Sequence, residues 1–84
     1  MLYRIYTEQH RKLPEIISRY VDGCTMLYGQ GFWKGKPESC VVIEIDSIDY
    51  EMGARVRAIC KDIKVECEQE EVIMQTSFTS TTTI

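Results

Sequence analysis

The fold is decided by the stretch from residue 24 to residue 45, which reads CTMLYGQGFWKGKPESCVVIEI. It begins with a segment rich in aromatic residues, passes through turn-forming residues at 34–39, and ends in the strand-like segment 40–45, of which 40–43 is a continuous apolar run. Such a run is typical of a central strand, and Gly and Pro between two strand-like segments favour a hairpin. We therefore predict that strands 24–33 and 40–45 pair through a turn at 34–39.

The flanking segments show which elements surround this hairpin. Residues 2–7 and 72–78 carry β-branched and aromatic residues, which favour strands. Apolar residues recur at helical spacing over 13–21 and again over 50–67, so each range is predicted to be a helix with one buried face. Asp49 is a suitable N-cap for the second helix.

This order of elements predicts an α+β protein with the ferredoxin-like βαββαβ plan, a four-stranded antiparallel sheet with two helices on one face. Residues 1–84 are expected to form a single domain, in which the Thr-rich residues 79–84 extend the last strand or form a flexible tail. A chain of this length buries a small core, so a second copy is expected to cover the other sheet face and give a homo-oligomer. The residues expected on that face are Tyr3, Met26, Tyr28, Phe32, Trp33, Met74 and Phe78.

Composition limits the classes of partner. The net charge of −3 argues against duplex nucleic acid, because duplex binding depends on neutralising phosphates. No stretch approaches the roughly 20 apolar residues of a membrane span, and no signal-peptide pattern is seen, so we expect no membrane contact and a cytoplasmic location. Single-stranded nucleic acid stacked on aromatic strands stays open as a third reading, after the two discussed below.

The cysteines do not have the spacing of a metal site. Cys24, Cys40, Cys60 and Cys67 include no Cys-x-x-Cys pair, and the single histidine, His10, lies far from them in sequence. Cys60 and Cys67 share the apolar face of the second predicted helix, where thiols commonly act as small core residues. We expect free thiols, no metal and no cofactor.

No familiar catalytic motif is present. The chain has one histidine, no Ser or Cys nucleophile motif and no phosphate-binding GxxxxGK[ST] loop. Glu44 and Asp46 share one face of a predicted strand, which is more typical of a solvated strand end than of an acid–base pair. His10 lies at a strand-to-helix junction, where a bound anion could meet the helix N-terminus. We therefore predict that the protein is not an enzyme.

The hairpin has the composition of a binding site. Glycines permit close backbone approach, aromatic rings offer stacking faces and basic side chains neutralise anions. We predict an anionic, aromatic small molecule as the ligand, with nucleotides the best class. The predicted ligand-binding residues are Gly29, Gly31, Phe32, Trp33, Lys34, Lys36, Arg4 and Arg11. An ordinary structural hairpin has the same composition, so that alternative stays open.

The run GQGFWKG at 29–35, followed by Glu38-Ser39 and the apolar strand 40–45, resembles the PII-type signal proteins and their CutA-like relatives, including small phage proteins. The resemblance extends over 1–78 as an order of elements and over 28–45 as a motif. It implies compact trimers with nucleotides held between subunits, and a phage member that sequesters a signal nucleotide.

One departure from that group is the loop at 34–39, which is much shorter than the corresponding loop of PII-type proteins. The alternative function is a protein-interaction module or inhibitor. It would act on a larger partner, such as a host protein, through the hairpin tip and an edge strand.

Overall fold

The computed structural model describes residues 1–84, which form six elements. They are β1 (Leu2–Glu8), α1 (Leu13–Ser18), β2 (Thr25–Trp33), β3 (Lys36–Asp46), α2 (Met52–Glu66) and β4 (Ile73–Ser77). The strands form one antiparallel sheet in the order β2-β3-β1-β4, with both helices packed on the same face. The predicted ferredoxin-like α+β fold is therefore confirmed. Neither helix is long and apolar enough to cross a membrane.

The core lies between the two helices and the central strands. Ile5 of β1 is opposite Ile43 of β3, and both side chains are fully buried. Ile16 of α1 and Ile59 and Ile63 of α2 are also fully buried and belong to the same cluster. Because burying one such side chain stabilises the fold by about 1.5–3 kcal/mol, these few residues supply much of the stability of a small domain.

The opposite face of the sheet carries an apolar row that crosses all four strands. The strand register aligns Leu27, Val42, Tyr6 and Ile73 in the order β2-β3-β1-β4. Leu27 and Ile73 are each about half exposed. We call these four residues the open-face row.

The prediction of which side chains lie on this face was wrong at several positions. Tyr3 is buried on the helix side, and Met26 and Met74 pack against the same core. Met26 is opposite Ile43 and Met74 is opposite Ile5, so both share the face of those core residues. Successive side chains point to opposite sides of a strand, so the face depends on a register that composition does not reveal.

The predicted turn of the hairpin was too long. Only Lys34 and Gly35 form the turn, with φ angles of 52° and 77°. Positive φ at both central residues is the pattern of a type I′ hairpin turn. Trp33 therefore pairs with Lys36, and β3 begins there. Trp33 and Lys36 form the hydrogen-bonded pair next to the turn, so the following pair, Phe32 and Pro37, is a non-hydrogen-bonded pair. Pro37 therefore fits within the strand, because it needs no N–H to donate to β2.

The helix ends also differ from the prediction. Helix α1 stops at Ser18, although the hydrogen bond from Val21 N to Ile17 O adds one further turn. Helix α2 begins at Met52, with Glu51 at the N-cap position. The predicted N-cap, Asp49, lies two residues before this position, where its carboxylate accepts a hydrogen bond from Glu51 N (2.9 Å) and stabilises the turn that leads into the helix.

We expect the open-face row to pair with a second copy of the chain, because four aligned apolar side chains gain stability when removed from water. Light scattering at micromolar concentration should give a mass well above the 9.8 kDa of one chain. Leu27→Lys should lower that mass toward 9.8 kDa. Val65→Lys, on an exposed position of α2, is the control and should change nothing. A monomeric wild-type protein would contradict this expectation.

Candidate functional site

A cleft with a volume of about 390 Å³ opens between the tip of the β2–β3 hairpin and the connection from α2 to β4. Three parts of the chain line it: residues 6–8 at the end of β1, residues within 32–40 of the hairpin, and residues within 68–73. The volume lies within the range of about 300–1,000 Å³ that is common for small-molecule sites. It is therefore the candidate binding site.

The side chain of Gln69 holds the α2–β4 connection against β1. Its Oε1 accepts hydrogen bonds from Thr7 Oγ1 and from Glu8 N (3.0 Å), and its Nε2 donates to Glu8 O (3.1 Å). The ladder between β1 and β4 ends where Tyr6 pairs with Ile73. The Gln69 amide thus takes the place of the next strand residue and satisfies both backbone groups of Glu8.

The end of α2 has a tight cap that places Glu68 in the cleft wall. Gln69 N donates to Lys64 O (3.1 Å) and Cys67 N donates to Ile63 O (2.9 Å), as in a Schellman-type helix end. Glu68 has φ of 53°, a conformation usually taken by Gly at this position. A side chain in this conformation costs about 1–2 kcal/mol, so the fold carries Glu68 here at the expense of stability.

The hairpin supplies the aromatic part of the cleft. Trp33 is 41% exposed and Phe32 is 75% exposed, and both line the cleft together with Tyr6. The Lys34 Nζ lies 5.8 Å from the centre of the Trp33 ring and 3.5 Å from Glu70 Oε2. The ion pair between Lys34 and Glu70 connects the hairpin tip to the opposite wall.

The remaining predicted site residues do not line the cleft. Gly29 and Gly31 lie in the regular ladder between β2 and β3, and a Cβ at either position would make only ordinary contact with Cys40 Sγ at 3.7 Å. Lys36 and Arg11 are exposed and form no ion pair.

Arg4 lies on the open face, one row away from the cleft. Its Nε donates to Glu44 Oε2 (2.7 Å), and this hydrogen bond raises the pKa of Arg4. Asp46, on the same face, accepts hydrogen bonds from Thr81 and from Thr79 (3.1 Å), which lower the pKa of its carboxyl group. Glu44 and Asp46 are therefore held by different partners and do not form a joint site.

The lining of the cleft is strongly acidic. It includes five glutamates and no Lys, Arg or His: Glu8, Glu38, Glu68, Glu70 and Glu71. Several carboxylates around one cavity repel a phosphate and attract a cation, and aromatic faces add cation–π attraction. The arrangement suits a ligand that combines an aromatic ring with a positive charge. The available sequence signal was the acidic run 66–71 after the second helix.

Cys60, Cys67 and His10 have contacts that stabilise the fold. Cys67 is buried in the core and Cys60 packs against it, as predicted; burial raises the pKa of Cys60 to about 11. Cys24 is exposed, and partial desolvation of its thiol raises its pKa. Nδ1 of His10 accepts a hydrogen bond from Lys12 N (3.1 Å), which stabilises the turn before α1.

No family profile and no curated protein matches this sequence. Among solved structures, a phage S-adenosylmethionine (SAM) lyase in complex with S-methyl-5′-thioadenosine has a TM-score of 0.66 at 16% identity, over 87% of this chain and 76% of the lyase. A DUF3240 family protein from Shewanella baltica has a TM-score of 0.64 at 12% identity, over 99% of this chain and 94% of that protein. A PII-like signalling protein from Thermus thermophilus gives 0.49 at 17% identity, over 88% and 78% of the two chains.

These similarities concern the fold, since all three identities are low. They overturn the prediction that the protein is not an enzyme, because a lyase is built on the same arrangement of elements. The lack of a familiar catalytic motif therefore does not exclude catalysis from this fold. The sequence predicted a resemblance to PII-type proteins, and a PII-like protein is among the similar structures. Its TM-score is below 0.5, so no argument about function rests on it. A phage origin stays a prediction.

Glu68→Gly should raise the free energy of unfolding by about 0.5–1 kcal/mol, because relief of the positive-φ strain exceeds the greater flexibility of Gly in the unfolded chain. Urea unfolding at fixed protein concentration measures the change. Glu71→Gly is the matched control and should lower the stability, since Glu71 does not have positive φ. Equal destabilisation by both substitutions would show that Glu68 is not strained.

Proposed function

We propose that the cleft binds a positively charged nucleoside of the S-adenosylmethionine type. The observation that carries this proposal is the combination of three aromatic side chains with five carboxylates and no basic residue in the lining. A sulfonium ion has no N–H group to donate. It is therefore recognised through its charge and by aromatic faces rather than by hydrogen bonds.

In this proposal the two walls of the cleft have different tasks. The hairpin supplies aromatic faces, Phe32 for the purine base and Trp33 for the positive charge, while Glu68 and Glu70 on the α2–β4 connection supply the carboxylates that stabilise this charge. The phage lyase, whose structure contains S-methyl-5′-thioadenosine, supports the choice of ligand class. An anionic nucleotide, which was predicted from the sequence, is less compatible with five carboxylates.

The proposal includes a homo-oligomer with the ligand near a subunit interface. Tyr6 and Ile73 belong to both the open-face row and the cleft lining. A second copy packed on the row would therefore border the cleft and exclude water from it. A cytoplasmic location, expected from the sequence, agrees with a nucleoside ligand.

S-adenosylmethionine should raise the melting temperature of the wild-type protein, and ATP should not, because only the former offers a positive charge to the carboxylates. Calorimetry should show that Trp33→Ala weakens S-adenosylmethionine binding by about 0.5–2 kcal/mol, the range found for a cation over an aromatic face. Tyr50→Ala, which removes an exposed aromatic residue outside the cleft, is the control and should leave binding unchanged.

The same samples are assayed for release of S-methyl-5′-thioadenosine, which separates binding from turnover. Stabilisation by ATP, without any effect of S-adenosylmethionine, would reject the proposed ligand class.

The second candidate function, a protein-interaction module, is favoured by the outer edge of β2. This strand pairs only with β3, so the outward backbone groups of Thr25–Trp33 have no partner strand. An extended segment of a partner protein could add to this edge. Hydrogen-bonded and non-hydrogen-bonded pairs alternate along β2 and β3, starting from the hydrogen-bonded pair of Trp33 and Lys36 next to the turn. Gln30 therefore lies in a non-hydrogen-bonded pair, and its N–H points away from β3.

Gln30→Pro should therefore abolish capture of a partner from a lysate while the fold is retained, since Pro is tolerated at the edge of a sheet. Circular dichroism checks the fold. Ser39→Ala, on the inner strand, is the control and should leave capture intact. Equal capture by all three proteins would exclude the β2 edge as the contact.

A further inference from the structure

We infer that Lys34 is a tethered competitor, whose ammonium group occupies the cation position of the cleft when no ligand is bound. The inference rests on the proposed function and names a residue that sets its specificity. The Lys34 Nζ lies 5.8 Å from the centre of the Trp33 ring and 3.5 Å from Glu70 Oε2. These are the two kinds of group, an aromatic face and a carboxylate, that a cationic ligand needs.

The backbone at Lys34 gives a second, independent observation. Lys34 has φ of 52° at the first central position of a two-residue hairpin turn. Asn, Asp and Gly are the residues that such a turn favours, because they tolerate positive φ. The turn itself therefore does not select Lys, and the contacts of the side chain with Trp33 and Glu70 are the remaining structural feature of this position.

The exposure of the pair makes the competitor easy to displace. The side chains of Lys34 and Glu70 are 70% and 69% exposed, so water and salt screen their attraction. A ligand with its own positive charge replaces the ammonium on Trp33 and Glu70, and breaking this screened ion pair costs little binding free energy. A neutral ligand leaves Lys34 in place and meets no competition from it.

This assignment gives Lys34 a role opposite to the one predicted from the sequence. As a phosphate-binding residue, Lys34 would strengthen binding, and its removal would weaken it. As a competitor, it weakens the binding of cations, and its removal strengthens that binding.

The experiment compares two probes, S-adenosylmethionine and the neutral thioether S-adenosylhomocysteine, by calorimetry at low salt. Lys34→Asn suits the turn and Lys34→Met keeps the length of the side chain; both remove the charge. Each should bind S-adenosylmethionine about two- to fivefold more tightly than wild type, the range expected for loss of one exposed charge contact. Binding of S-adenosylhomocysteine should not change. The gain should shrink at high salt.

Two controls accompany these variants. Lys34→Arg keeps the charge and should bind like wild type, and Lys36→Met removes a neighbouring charge that has no partner in the cleft. Trp33 is the only tryptophan, so its fluorescence reports, in the absence of ligand, whether the Lys34 ammonium lies over its ring. Its emission should change in Lys34→Met and stay the same in Lys36→Met.

Unchanged or weaker S-adenosylmethionine binding in both neutral variants, an equal gain for both probes, or unchanged Trp33 emission would overturn the inference. In each case the proposed function survives if the wild-type protein binds S-adenosylmethionine. If neither the wild type nor any variant binds either probe, the proposed function fails and the role of Lys34 fails with it.

Discussion

The register of β1 between β3 and β4 is the constraint on which the rest of the structure depends. It sets Ile5 opposite Ile43 on one side and opposite Met74 on the other, beneath the helices. A slip of one residue would turn the buried side chains of β1 toward water and bring Arg4 and Tyr6 into the core. Burial of the isoleucines therefore fixes which residues reach the open face, and with them the floor of the cleft.

The cleft exists because the strands have different lengths. β3 has 11 residues and β1 has 7, so the hairpin of β2 and β3 extends past the end of β1. β4 ends its pairing at Tyr6, which leaves the backbone of Glu8 free on that side. Gln69 occupies this gap with its side chain and thereby sets the distance between the acidic connection and the aromatic hairpin tip.

The charge of the cleft, more than its shape, distinguishes among possible ligands. The whole chain carries a net charge of −3, while the lining has five glutamates and no basic residue. Lys34 balances one of them from the edge of the cleft. A ferredoxin-like fold serves many functions, among them that of a lyase, so function must be argued from such local features and not from the fold.

The sequence by itself determined the elements and their order, because the period of apolar residues is a local property. The apolar run 40–43 and the helical spacing over 50–67 each reflect the burial of one segment. It also identified Phe32 and Trp33, which do line the cleft. Only the tertiary structure decided that Tyr3 is in the core, that Arg4 is held by Glu44 outside the cleft, and that the glutamates after α2 face the aromatic residues of the hairpin. These facts depend on strand register and on contacts between residues more than 30 positions apart. Neither is encoded in the composition of any single segment.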